Sequence, residues 1–188
     1  MGFLDVLFGR SKPIEPNLDR LFGVPSAAVT LEAALGLAPT GTASVCVRAA
    51  EGKAFADVER EVRALLGTDG PPVEQVTDAY DYTWLVVRRD PGDLAGLVGD
   101  VHTVNVSLQD AGFGPFLLCT LIGFADGSDG RLGLVYLYKR GTFYPFVPLG
   151  GQRRDNAGEL EIRGHLEGEL PVESDLRRWF AVWGAPGL

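Results

Sequence analysis

Apolar residues recur at helical spacing in three stretches of the chain. In AFADVEREVRALLG, Phe55, Val58, Val62, Leu65 and Leu66 line one face, and Gly67 stands where such a helix would end. In DLAGLVGDVHTVNVSLQDAG, Leu94, Leu97, Val98, Val101, Val104 and Leu108 keep the same spacing. Asp93 is placed to cap that helix and Gly112 to stop it. Near the N-terminus Phe3, Leu4, Leu7 and Phe8 share a face before SKPIEPN breaks the pattern with two prolines. NLDRLFGV then suggests a short helix with Asn17 as its N-cap.

Elsewhere the apolar positions read as strands. SVCVR, LLCTLIGFA, RLGLVYLYKR and TFYPFVPL fit that pattern, the last at a sheet edge because proline donates nothing to a ladder. DGSDG is a tight turn built from the residues such turns require. VEQVTDAYDYTWLVVRR predicts a hairpin turning near Ala79 to Asp81. TLEAALGL fits a helix or a strand. The alternation of Leu31, Ala33 and Leu35, with a turn signal at Pro39-Thr40-Gly41, favours a hairpin with SVCVR. RRDNAGELEIRGHLEGEL predicts a helix weakened by three glycines. VESDLRRWFAVW predicts a short closing helix with Trp179 and Trp183 on one face. Hairpin followed by helix recurs three times without a shared residue pattern. That order predicts an α+β fold: a largely antiparallel sheet built from hairpin–helix units, with helices packed mainly on one face. Residues 1–16 are expected to form an amphipathic arm and linker, and residues 17–188 a single domain.

Composition narrows the function. The chain has 188 residues, is 46% hydrophobic and carries a net charge of −8. No run approaches the ~20 apolar residues that span a bilayer, and MGFLDVLFGR lacks the cationic region of a signal peptide. Position 6 is Val, against the myristoylation pattern. A cytoplasmic location is expected. Acidity makes nucleic acid a poor partner. The two cysteines, Cys46 and Cys119, sit in apolar strand-like runs and are expected to be buried free thiols.

No nucleophile elbow, phosphate loop, dinucleotide fingerprint or zinc spacing occurs. His102 and His165 are isolated on predicted helices. Asp78 with Asp81, and Asp126 with Asp129, are carboxylate pairs suited to acid–base work only if a pocket gathers them. Neither a metal nor a cofactor is expected. Trp84, in an apolar strand, reads as core.

One region departs from the acidic background. From Arg131 to Arg154 there are five cations and no acid, and KRGTFYPFVP interleaves cations, aromatics and prolines. One reading is an edge strand guarded against aggregation by charge and proline. The other is a recognition face for an anionic partner, formed by Lys139, Arg140, Phe143, Tyr144, Arg153 and Arg154. Strand alternation places Leu134, Tyr136 and Tyr138 on one face, with Arg140 at its rim. A rival class is a small-ligand or enzymatic domain with a pocket between sheet and helices, lined by Tyr80, Tyr82, Trp84, Arg140 and Arg154.

The opening MGFLDVLFGRSKP, the segment YTWLVV, the block LVYLYKRGTFYPF, the run RRDN and the ending RWFAVWGAPGL resemble the PspA-associated protein PspAB family of actinobacteria. The resemblance covers essentially the whole chain in one order. It implies a small cytoplasmic protein linked to phage shock protein A, a coiled-coil membrane-remodelling protein of the envelope stress response. None of these strings is a catalytic signature, so the resemblance implies a non-enzymatic accessory protein without a cofactor. On that view the basic aromatic edge is the expected contact. Phe3, Leu4, Leu7 and Phe8 form an arm able to lie on the partner's helices or on the inner face of the membrane.

Overall fold

A short 3-10 segment, Leu18–Gly23, leads directly into helix α1, Val24–Leu35. The structure is a computed structural model and describes residues 16–48, 52, 55–57, 60, 62, 64 and 73–188. The arm expected over Phe3, Leu4, Leu7 and Phe8 lies outside them. Asn17 precedes the first turn, but its side chain makes no capping bond there. TLEAALGL, expected in a hairpin, instead closes α1. Val24, Ala27, Ala28 and Leu31 follow helical spacing and are all buried. Pro25 sits in the first turn, where its missing N–H has no partner to lose, and Gly36 ends the helix at φ 68°. The buried stripe is written mostly before Thr30, so the Leu31, Ala33, Leu35 alternation was a poor guide. The turn expected at residues 39–41 is a register shift inside the next strand, with Gly41 at φ 74°.

Strands β1 (Ala38–Arg48), β2 (Glu74–Thr77), β3 (Tyr82–Arg88), β4 (Leu117–Ala125), β5 (Arg131–Leu137) and β6 (Thr142–Phe146) form a six-stranded sheet. Its order is β2-β3-β1-β4-β5-β6, and every neighbouring pair is antiparallel. Helix α2, Leu94–Leu108, joins β3 to β4. A small ribbon, β7 (Pro148–Leu149) with β8 (Arg153–Arg154), precedes helix α3, Asn156–Leu166. The Asp93 side chain accepts from Gly96 N–H at the start of α2, and Gly112 turns the chain away at φ 88°. Asp155 caps α3 in the same way, through Gly158 N–H. Of the helix expected in AFADVEREVRALLG, residues 55–57, 60, 62 and 64 are helical, with Phe55 and Val62 buried. Val58, Leu65 and Leu66 lie outside the described residues. The fold is therefore α+β, as the patterning implied.

The two sheet faces are covered differently. Val45, Leu85, Ile122, Leu134 and Tyr136 point toward α1 and α2 and form the larger core. The opposite face carries Cys46, Trp84, Leu121, Val135 and Tyr144, and no described helix lies over it; the C-terminal segment does. The closing helix expected there reduces to a 3-10 turn, Leu176–Arg178. Beyond it the backbone carbonyls accept from side chains rather than from a helical ladder. Arg154 Nη1 donates to the Trp179 carbonyl at 2.7 Å, Tyr144 to that of Phe180 at 2.9 Å and Ser44 to that of Pro186 at 2.8 Å. Trp179 and Trp183 therefore share no helical stripe. Trp179 stacks on Tyr144 with centroids 6.0 Å apart, and Trp183 meets Phe146 edge-on at 4.9 Å. The tail presses so closely on β4 that a Cβ at Gly123 would lie 2.1 Å from the Gly187 carbonyl oxygen.

Candidate functional site

Between the tail and the sheet face it covers lies a cavity of about 580 Å³. Its floor is made by the two cysteines, which stand directly opposite each other on β1 and β4. Both are buried and unbridged. Tyr82 and Trp84 from β3, Tyr144 from β6 and Trp183 from the tail supply aromatic walls. Tyr80 in the β2–β3 turn and Phe180 in the tail also line it, 58% and 60% exposed, at its open side. Strand alternation explains the lining. Cys46 and Arg48 share a face of β1 and Tyr82 and Trp84 a face of β3, and the register pairs Cys46 with Trp84 and Arg48 with Tyr82.

Asp78 braces this wall. One carboxylate oxygen accepts from the N–H groups of Tyr80 at 2.8 Å and Tyr82 at 3.0 Å, and the other from Trp84 Nε1 at 2.8 Å. Asp81 takes φ 62° in the same turn and is not on the cavity lining, so this cavity does not gather the pair. The Cys46 thiol is pushed far up by its hydrogen bond with Cys119 and by burial, so it stays protonated at neutral pH. Burial pushes the Tyr144 phenol up as well. The inner part of the cavity is thus apolar and uncharged. Arg48, on its lining, is exposed, and its side chain makes no hydrogen bond or ion pair among the described residues.

The expected ligand pocket is corrected in two respects. Tyr80, Tyr82 and Trp84 do line a cavity, but it lies on the sheet face away from the helices. Arg140 and Arg154 are absent from its lining. The expectation passed over Arg48, Phe180 and the thiol pair. The Val-Cys-Val-Arg alternation carried a signal for two of them, but not for what covers that face.

The basic segment does not form one face. Lys139 and Arg140 sit at the turn joining β5 to β6, where Leu137 pairs with Thr142. Arg153 and Arg154 lie on β8, past the other end of β6, about 15 Å along the strand direction at ordinary strand rise. Phe143 is fully buried against Tyr136, ring centroids 5.0 Å apart, and Tyr144 is 1% exposed. Neither offers a surface to a partner. Arg140 Nε donates to Glu173 Oε2 at 3.0 Å, and Thr142 Oγ1 to the same oxygen at 2.9 Å. Burial raises the Glu173 carboxyl, but hydrogen bonds from Arg140, Asp175 N–H and Thr142 outweigh it and hold it below the ordinary glutamate value. Arg154 Nε contacts both oxygens of buried Glu159, at 2.9 and 3.0 Å. Arg154 Nη2 lies 2.8 Å from Glu159 Oε2 as an ion pair without a directed hydrogen bond. The guanidinium also sits 5.2 Å from the Phe146 ring centroid. Two of the five cations, Arg140 and Arg154, are therefore neutralised internally. Lys139 is exposed without a partner among the described residues, and exposed Arg153 donates to the Gly150 carbonyl at 3.1 Å. The outer rim of β6 is closed too. Phe143 N–H donates to the Pro171 carbonyl at 2.9 Å, and Glu173 N–H to the Phe143 carbonyl at 2.7 Å.

The remaining candidates have structural surroundings. His102 Nε2 is 3.4 Å from Asp19 and its ring is 4.7 Å from that of Phe22. Asp126 closes the DGSDG turn by accepting from the N–H groups of Ser128 and Gly130. Among the described residues no group of three or more His, Cys, Asp or Glu side chains is arranged to hold a metal ion. No described helix is long and apolar enough to cross a membrane.

Comparison with curated proteins and with solved structures yields no match. A family model does match, over residues 1–187, and it is described as PspA associated protein B. With essentially every residue covered by that match, the chain belongs to the PspAB family.

Proposed function

We propose that this protein is a non-enzymatic accessory partner of phage shock protein A, acting in the cytoplasm at the inner face of the membrane. The family match over residues 1–187 carries the reading. The contact we assign is smaller than the basic segment of the sequence. It is the β5–β6 turn, where Lys139 is exposed, the Arg140 side chain is 34% exposed, and Arg20 donates to the Gly141 carbonyl. Phe143, Tyr144 and Arg154 hold the fold, and Arg153 belongs to the far end of β6.

The test is a calorimetric titration of the full chain against purified phage shock protein A at two salt concentrations, with Lys139→Glu alongside. Lys139 has no intramolecular partner among the described residues, so this variant keeps the fold. Saturable binding is expected, weakened several-fold by the substitution and by salt, as rim charges act. Absence of saturable binding by the unsubstituted protein overturns the partnership. Equal binding by the variant overturns the contact surface.

A further inference from the structure

The cavity under the C-terminal segment has features that partner binding at the β5–β6 turn leaves unused. We infer that it is a binding site for a small planar aromatic anion. Its size, about 580 Å³, falls among pockets that hold small molecules. Six aromatic side chains line it beside four aliphatic ones, Leu118, Leu137, Ala181 and Val182. Tyr82 and Trp183, both half-buried, offer ring faces and edges that favour a stacked or edge-on aromatic partner, with buried Trp84 and Tyr144 behind them. Tyr80 and Phe180 remain largely in water at the opening, an arrangement relieved by an occupant.

Charge selects the sign of the ligand. Asp78 and Arg48 are the acidic and the basic side chain on the lining. Both Asp78 oxygens are engaged by the N–H groups of Tyr80, Tyr82 and Trp84, so its charge is compensated within the wall. Arg48 has no such compensation among the described residues. A guanidinium at the solvent-facing rim of an apolar cavity pairs with a carboxylate, sulfonate or phosphate through two parallel N–H donors. The thiols of the floor are buried and unbridged, and so suit the apolar end of the ligand.

The site is also preformed. The tail that roofs it is pinned by Ser44 to Pro186, Tyr144 to Phe180 and Arg154 to Trp179, and the Asp78 brace fixes Trp84. Little ordering would be needed on binding.

The experiment uses the full chain and three probes: 2-naphthalenesulfonate, the 2-naphthylmethylammonium cation, and dodecanoate. Binding is read by calorimetry and by the indole N–H signals of Trp84 and Trp183 in nuclear magnetic resonance. One saturable site is expected, with the sulfonate bound at least tenfold more tightly than the cation of the same ring. Arg48→Glu should abolish or reverse that preference. The Arg48 side chain is exposed and unpaired among the described residues, so the variant folds. Arg153→Glu, on β8 and outside the cavity, should change nothing. Lack of saturable binding, equal affinity for both ring probes, or indifference to Arg48→Glu overturns the proposal. Tighter binding of dodecanoate overturns the planar ligand in favour of an aliphatic one. Phage shock protein A is absent from the assay, so either outcome leaves that partnership to its own titration.

Discussion

The buried ion pair of Glu159 and Arg154 offers the most direct test of how this fold is held. Glu159 is 2% exposed at the start of α3. It accepts from Val147 N–H at 3.0 Å and is gripped by the Arg154 guanidinium. Arg154 also donates to the Trp179 carbonyl, so one carboxylate links α3, the end of β6 and the tail. Replacing Glu159 with Ala leaves a guanidinium whose side chain is 21% exposed and a backbone N–H without an acceptor. Breaking a buried pair from one side costs about 3–5 kcal/mol. An unsatisfied N–H costs about 1–3 kcal/mol. The two losses overlap, and water reaches part of Arg154, so a loss of about 3 kcal/mol is expected, at the lower end of the ion-pair range. Urea denaturation followed by tryptophan fluorescence measures it. The double variant Arg154→Met/Glu159→Leu strands neither charge and should be markedly more stable than Glu159→Ala. A loss under about 1 kcal/mol in the single variant, or a double variant no better than it, refutes the assignment of Glu159 as the junction.

Two further outcomes follow from other contacts. The folded Glu173 carboxyl lies below its unfolded value, so its contribution is full above the ordinary glutamate range and fades as pH falls through the depressed folded value. Glu173→Gln should therefore lower stability at neutral pH and flatten the acid limb of a stability-versus-pH curve; an unchanged limb counts against it. Gly123→Ala drives a methyl against the Gly187 carbonyl oxygen, a backbone atom that moves only with the tail. It should destabilise the protein by about 1–3 kcal/mol and weaken 2-naphthalenesulfonate binding; retention of both values shows that the tail does not roof the cavity as described.

Where the determinants were local, the sequence was readable. Asp93 and Gly112 bracket α2, and its buried residues recur at helical spacing, so that helix needed no tertiary context. The DGSDG turn and the β2–β3 hairpin were legible for the same reason. TLEAALGL was not, because its core stripe begins upstream at Val24, and Leu31, Ala33 and Leu35 fit either period. RRWFAVW has the spacing of a helix, yet its Trp179 and Phe180 carbonyls accept from Arg154 and Tyr144 on other elements.

Fold class, the antiparallel order of the main hairpins and the family strings were thus properties of the chain written out in order, since capping, turn chemistry and periodicity act over a few residues. The electrostatic character of KRGTFYPFVP and the existence of the cavity were not. Formal charge adds along a sequence, but Glu173 and Glu159 cancel Arg140 and Arg154 across the fold. The cavity wall joins Cys46, Tyr82, Cys119, Tyr144 and Trp183, which only strand register and the path of the tail bring onto one face. Periodicity says that a strand has two faces; what covers each is decided by the packing of the other elements.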